Sequence, residues 1–116
     1  MAASAKSVNT GISAKKVRRI VDLVRGKKVE DALQALQFMP SPAAGQVAKV
    51  VRAATANAEN EMLSRASDLK IVEIYADEAK SLKRIRALPR GRAARISKRS
   101  SHITVVVEEE ERQLGQ

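Results

Sequence analysis

Between Ser13 and Gly26 the apolar residues Val17, Ile20, Val21 and Val24 fall at i, i+3, i+4 and i+7, the repeat of one helix face. Ser13 suits the N-cap and Gly26 a stop after Arg25. Lys15, Arg18, Asp22 and Arg25 take the opposite side. Val29, Ala32, Leu33 and Leu36 repeat the spacing and predict a second, shorter helix over residues 29–38, with Glu30 and Asp31 complementing its dipole in the first turn. Met39-Pro40-Ser41-Pro42 ends that helix and begins a third, with Ser41 as N-cap and Pro42 as first residue. The third helix is long, about 42–63, and its stripe of Ala44, Val47, Val51, Ala54, Ala58 and Met62 is small enough for close approach to a sheet or helix.

Period two replaces period 3.6 in the second half. Residues 69–76 and 103–110 are β-branched and apolar, as paired strands require. Pro89-Arg90-Gly91 lies midway between them: proline presets one turn angle and glycine permits positive φ, so the chain reverses there. Paired residue numbers then sum to about 179–180, which sets Tyr75 opposite Thr104 or Val105 and Ile71 near Glu108. Residues 2–11 are small and polar and suit an edge strand. Helices followed by a hairpin predict an α+β fold: three helices packed on a small antiparallel sheet with a long protruding β-hairpin. At 116 residues the chain is one domain over 1–116, with the extended hairpin at about 78–102.

The arms between strands and turn run about ten residues each and project ~30 Å. Neither arm has a clean apolar face. Residues 80–99 hold nine basic side chains, Lys80, Lys83, Arg84, Arg86, Arg90, Arg92, Arg95, Lys98 and Arg99, and no acidic one. The whole chain carries 22 Lys and Arg against 13 Asp and Glu, a formal net charge of +9, so all of the excess resides in this stretch. With charge on both faces, the ribbon cannot pack on its own protein and a partner should surround it. Concentrated charge of one sign indicates a polyanion, and six Arg to three Lys favours phosphate forks and stacking on bases. A second basic group, Lys15, Lys16, Arg18, Arg19, Arg25, Lys27 and Lys28, fits two readings: a solvated helix face, or a further phosphate contact on the body. A different class of function, a free basic domain that coats DNA or docks on an acidic protein, is supported by net charge alone.

Other chemistry finds little to build on. No cysteine is present, so there is neither a disulfide framework nor a thiolate metal site, and no metal or cofactor is expected. The five glycines are scattered and form no phosphate-cradling loop, and no small-molecule substrate is indicated. His102, the single histidine, stands at a strand start and is read as structural or surface. Asp77 and Glu78 are adjacent, hence on opposite faces of a strand; they make no catalytic pair and suit a local salt bridge with Lys80 or Arg99. The aromatics are Phe38 and Tyr75, too few for a base-stacking sheet. No catalytic residue is assigned. No apolar run approaches membrane-spanning length, and the first residues lack a signal-peptide core. The acidic run at 108–111 and the tail to Gln116 read as a solvated end.

Three blocks bear a family resemblance. The first is AKKVRRIVDLVRGK from Ala14 to Lys27; the second is Ala56-Asn57-Ala58-Glu59; the third comprises Lys83-Arg84-Ile85, Gly91-Arg92-Ala93 and KRSSHITVVV from Lys98 to Val107. In these blocks the chain resembles the large-subunit ribosomal protein L-twenty-two family over almost its whole length. The resemblance implies a small α+β body on the ribosome, in the cytoplasm of a bacterium or in an organelle, and a hairpin threaded through 23S-type ribosomal RNA. It also implies early assembly, neighbouring ribosomal proteins as partners, and a tip that lines the peptide exit tunnel where the nascent peptide passes. Carried over, Lys83, Arg84, Arg90, Arg92, Arg95, Lys98 and Arg99 contact RNA. The tip is Arg86, Ala87, Leu88, Pro89, Arg90, Gly91 and Arg92.

Overall fold

The computed structural model describes residues 2–62, 65 and 68–109. The side chain of Met62, together with Leu63, Glu110 and the tail to Gln116, all named above, lies outside the described residues. The elements run β1 (Ala2–Ser7), α1 (Ala14–Val24), α2 (Val29–Gln37), α3 (Pro42–Met62), β2 (Leu69–Glu78), β3 (Leu82–Ala87), β4 (Ala93–Lys98) and β5 (Ser101–Glu109). A tight turn, Pro89–Gly91, joins β3 to β4.

Strands β1, β5 and β2 form an antiparallel sheet in that order, with β5 central. The alternation of β5 makes this a one-sided sheet: Ile103, Val105 and Val107 are buried, while His102, Thr104 and Val106 face away. Helices cover the buried side. Val17, Val21 and Val24 of α1, Ala32 and Leu36 of α2, and Ala44, Val47, Val51, Ala54 and Ala58 of α3 meet those strands in one core. The predicted stripe of α3 is wider in the structure, because Ala43, Ala48 and Val50 are buried too. The helix packs against α2 and α1 as well as β1 and β5, so several of its faces are covered.

Capping follows the sequence at three of four places. Gly26 adopts φ +80°, the left-handed turn past the end of α1 that favours glycine. Ser41 Oγ accepts the Ala43 N–H at 3.2 Å, and Pro42 opens α3. Glu30 and Asp31 occupy the first turn of α2. Ser13 is the exception: its carbonyl accepts the Lys16 and Val17 N–H groups, but its side chain makes no cap hydrogen bond.

The register matches expectation at Tyr75, opposite Thr104, and departs from it at Ile71, opposite Val107 rather than Glu108. A bulge at Val72 absorbs the extra residue. It allows Ile71 and Ile74, three apart, to point into the same core. The predicted protruding hairpin is present, with a break beyond Glu78. The hairpin is not one continuous ribbon, because β3 and β4 form their own two-stranded sheet, from Leu82 opposite Lys98 to Ala87 opposite Ala93. Among the described residues one backbone hydrogen bond, Ala79 N–H to the Ser100 carbonyl at 3.1 Å, spans the gap between the sheets. The outer ribbon gives the molecule a longest dimension of 75 Å against 26 and 16 Å. Its radius of gyration is 17.8 Å, where a compact chain of this length would have about 13 Å.

Candidate nucleic-acid interface

Every residue of β3 and β4 except Ala94 is exposed. Paired residues in an antiparallel ladder share a face, so the register sorts the ribbon's charges. Leu82, Arg84 and Arg86 lie on one face with Lys98, Ile96 and Ala94; Lys83, Ile85 and Ala87 lie on the other with Ser97, Arg95 and Ala93. Both faces are cationic, as the arms predicted. Among the described residues no ribbon cation makes an ion pair with a carboxylate. Arg84 reaches only the neighbouring Lys83 carbonyl, at 3.2 Å. Asp77 and Glu78, expected to bridge to Lys80 or Arg99, stand instead in register with His102 and Ser101 and make no such bridge. At the tip the Leu88 N–H donates to the Arg92 carbonyl at 2.7 Å. Gly91 has φ +72°, as the turn predicted, and Arg90 also takes a positive φ of 63°.

The second basic group does not stay together; Lys28, for one, stands at the N-cap of α2. Lys16 and Arg19 on α1 converge with Arg84, Lys98 and Arg99 at the ribbon's root, around an open cleft of about 1040 Å³. Lys15 and Arg99 border a smaller hollow of about 280 Å³ that shares Ser13 and Ser97 with the cleft and that Glu78 also lines. Arg18 and Arg25 turn the other way. The Arg18 Nε–H donates to the Ala76 carbonyl at 3.1 Å, and an Arg25 Nη2–H to the Ile74 carbonyl at 3.1 Å, while Arg25 Nη1 pairs with Asp22 at 2.7 Å. β2 is an edge strand, so these two arginines satisfy carbonyls that would otherwise face water. Lys27 stands past the far end of α1, where its carbonyl accepts the Ile71 N–H at 3.0 Å.

The wall of the large cleft is pinned by contacts that sequence reasoning missed. The segment after β1 is tied to the start of β5 by four hydrogen bonds. Asn9 N–H donates to His102 Nδ1 at 3.1 Å and Thr10 N–H to the Ser101 carbonyl at 3.0 Å. Thr10 Oγ1 lies 2.7 Å from Ser101 Oγ, and Gly11 N–H donates to Ser100 Oγ at 3.0 Å. The Ser100-Ser101-His102 run therefore holds the loop that leads into α1. His102 is structural, and its Nδ1 is an acceptor, which puts the neutral ring's proton on Nε2. Among the described residues the acidic side chains keep to the body: Glu73, Asp77, Glu78, Glu108 and Glu109 are all on β2 and β5, and none lines the large cleft. No helix among the described residues is long and apolar enough to cross a membrane, and no cluster of three or more His, Cys, Asp and Glu there could hold a metal ion.

A one-sided α+β body that extends a bare cationic ribbon, with more cations gathered at its root, defines a protein built to meet a polyanion. Residues 5–108 match the family described as Ribosomal protein L22p/L17e, and the chain belongs to that family. Among its relatives, a protein of Dehalococcoides mccartyi strain CBDB1 named "Large ribosomal subunit protein uL22" is 61% identical over 99 residues, which cover 85% of this chain and 91% of the relative. A protein of the same name from strain 195 is 60% identical over the same shares.

Proposed function

We propose that this protein is a non-enzymatic constituent of the large ribosomal subunit. It binds 23S-type ribosomal RNA through the ribbon and its root, supports assembly of the subunit, and works on the ribosome in the cytoplasm. The observation that carries this reading is the exposed ribbon itself. A two-stranded ribbon is marginal in water by itself, and one with cations on both faces gains order from a polyanion that surrounds it. The residues assigned to RNA are Lys15, Lys16, Arg19, Lys27, Lys80, Lys83, Arg84, Arg86, Arg90, Arg92, Arg95, Lys98 and Arg99. Arg18 and Arg25 act first on the edge of β2 and touch RNA only with their remaining donors. Residues 86–92 form the tip that lines the exit tunnel, beside neighbouring ribosomal proteins and the nascent peptide.

Recognition runs through phosphates and backbone shape. If six phosphates are neutralised, affinity for large-subunit ribosomal RNA falls about a thousandfold between 50 and 200 mM salt. Filter binding across that range measures the slope. A flat response, or equal affinity for duplex DNA, overturns the proposal.

A further inference from the structure

We infer that the cleft at the ribbon's root is a pocket for one unstacked nucleotide of the RNA, its base against an isoleucine floor and its phosphates among the surrounding cations. This rests on the RNA-binding reading above and adds to it.

Phosphate contact explains the cations but not the floor. Ile96 stands opposite Arg84 on the ribbon and is 42% exposed, although it forms no part of the core. Ile12 and Ile20 rise from the body to meet the same cleft, each only partly covered by the core it packs on. Ile20 belongs to the apolar stripe of α1, yet Val17, Val21 and Val24 are fully buried and Ile20 is not. Three isoleucines thus face open space, and among the described residues no acidic one lines the cleft with them. A surface for phosphates alone would gain nothing from apolar groups held in water.

A nucleotide supplies what this geometry lacks. Its base covers apolar carbon, while its phosphates take up Arg19, Arg84 and Lys98 at the rim. The volume lies at the upper end of that of small-molecule pockets and leaves room for a base and its sugar-phosphate. No aromatic side chain lines the cleft, so the base meets aliphatic carbon and guanidinium planes. A base stacked inside a helix cannot reach such a floor, so the nucleotide must come from a bulge, a loop or a strand end. An acidic peptide would satisfy the rim but has less reason to seek the floor.

The test sets charge against apolar contact. Ile96→Lys adds a cation where only electrostatics would welcome one. In filter binding of the full chain to a 23S-type transcript at 100 mM salt, Ile96→Lys is expected to weaken affinity about tenfold, with the salt slope no smaller than that of the unchanged protein. Ile96→Val should stay within about twofold. Leu82→Lys, on the same ribbon face opposite Lys98 but not lining the cleft, should bind as well or better. Chemical probing of base edges in the same complexes should show a base that the unchanged protein protects and Ile96→Lys exposes. If Ile96→Lys binds as tightly or tighter and the base reactivities are unchanged, the pocket is overturned while the RNA-binding reading stands. If the unchanged protein binds without salt dependence, that reading fails first. Ile96 lies outside the core, so thermal unfolding of the variants should be unaltered, and a shifted melt would itself contradict its placement in the cleft.

Discussion

Removal of residues 82–95 tests the division of labour between body and ribbon. No residue from 80 to 100 belongs to the hydrophobic core, so the deletion takes away no core contact. Two further effects favour the shortened chain. The loop closed by the Ala79–Ser100 hydrogen bond shrinks from 20 residues to six, which lowers the entropy of closure by about 1 kcal/mol. Lys83, Arg84, Arg86, Arg90, Arg92 and Arg95 leave with the segment, so formal net charge falls from +9 to +3 and self-repulsion eases. The shortened protein should therefore unfold cooperatively by circular dichroism, at the same temperature or a few degrees higher, on the scale of about 4–8 °C per kcal/mol for a small domain. Its affinity for ribosomal RNA should collapse, and its salt slope should lose the share of the six missing cations. Loss of the cooperative transition, or a melting temperature lowered by more than about 5 °C, would refute the claim that the ribbon lends nothing to the body.

Other expectations concern the body. Ile74→Ala, at a site 2% exposed, should cost about 2–5 kcal/mol in denaturant unfolding. Ala54→Leu should cost about 1–3 kcal/mol by overpacking the buried stripe of α3. Gly26→Ala forces an L side chain into φ +80° and should cost about 1 kcal/mol. Arg25→Gln and Arg19→Gln should separate two uses of cations on one helix. The first should lose about 1 kcal/mol of stability with little change in RNA affinity, since its partners are Asp22 and the Ile74 carbonyl. The second should lose RNA affinity and about one unit of salt slope with stability unchanged.

Much of this architecture is legible in the chain. The ribbon could be read because three local signals agreed: a block of one charge, a turn at its midpoint, and matched strands at equal distance on either side. The arithmetic of that reversal holds through the outer ribbon, where Ile85 meets Arg95, and near the sheet, where Tyr75 meets Thr104. It slips at Ile71 because of Val72. The sign of that bulge was present in the sequence, since apolar Ile71 and Ile74 are three apart where a regular strand alternates by two. The fates of the α1 cations were not legible. Helical spacing puts Arg18, Arg19 and Arg25 on the polar side alike, and only the docking of α1 beside β2 commits two of them to edge carbonyls. Likewise the period-3.6 stripe cannot say which of its members stands at the rim, and Ile20 proved to be the one turned toward the cleft. The ties from Thr10 to Ser101 join residues 91 apart, and no local pattern announces them.

The break between the two sheets bears on how the finger reaches its final pose. Tilting the outer ribbon at residues 79–81 and 99–100 disturbs one backbone hydrogen bond rather than a continuous ladder. The joint acts as a wrist: the palm is shaped by its own valines and isoleucines, while the finger's bearing is left to whatever grasps it. A chain arranged this way can seat its palm first and let the folding RNA steer the finger home, so that neither has to wait for the other to be complete.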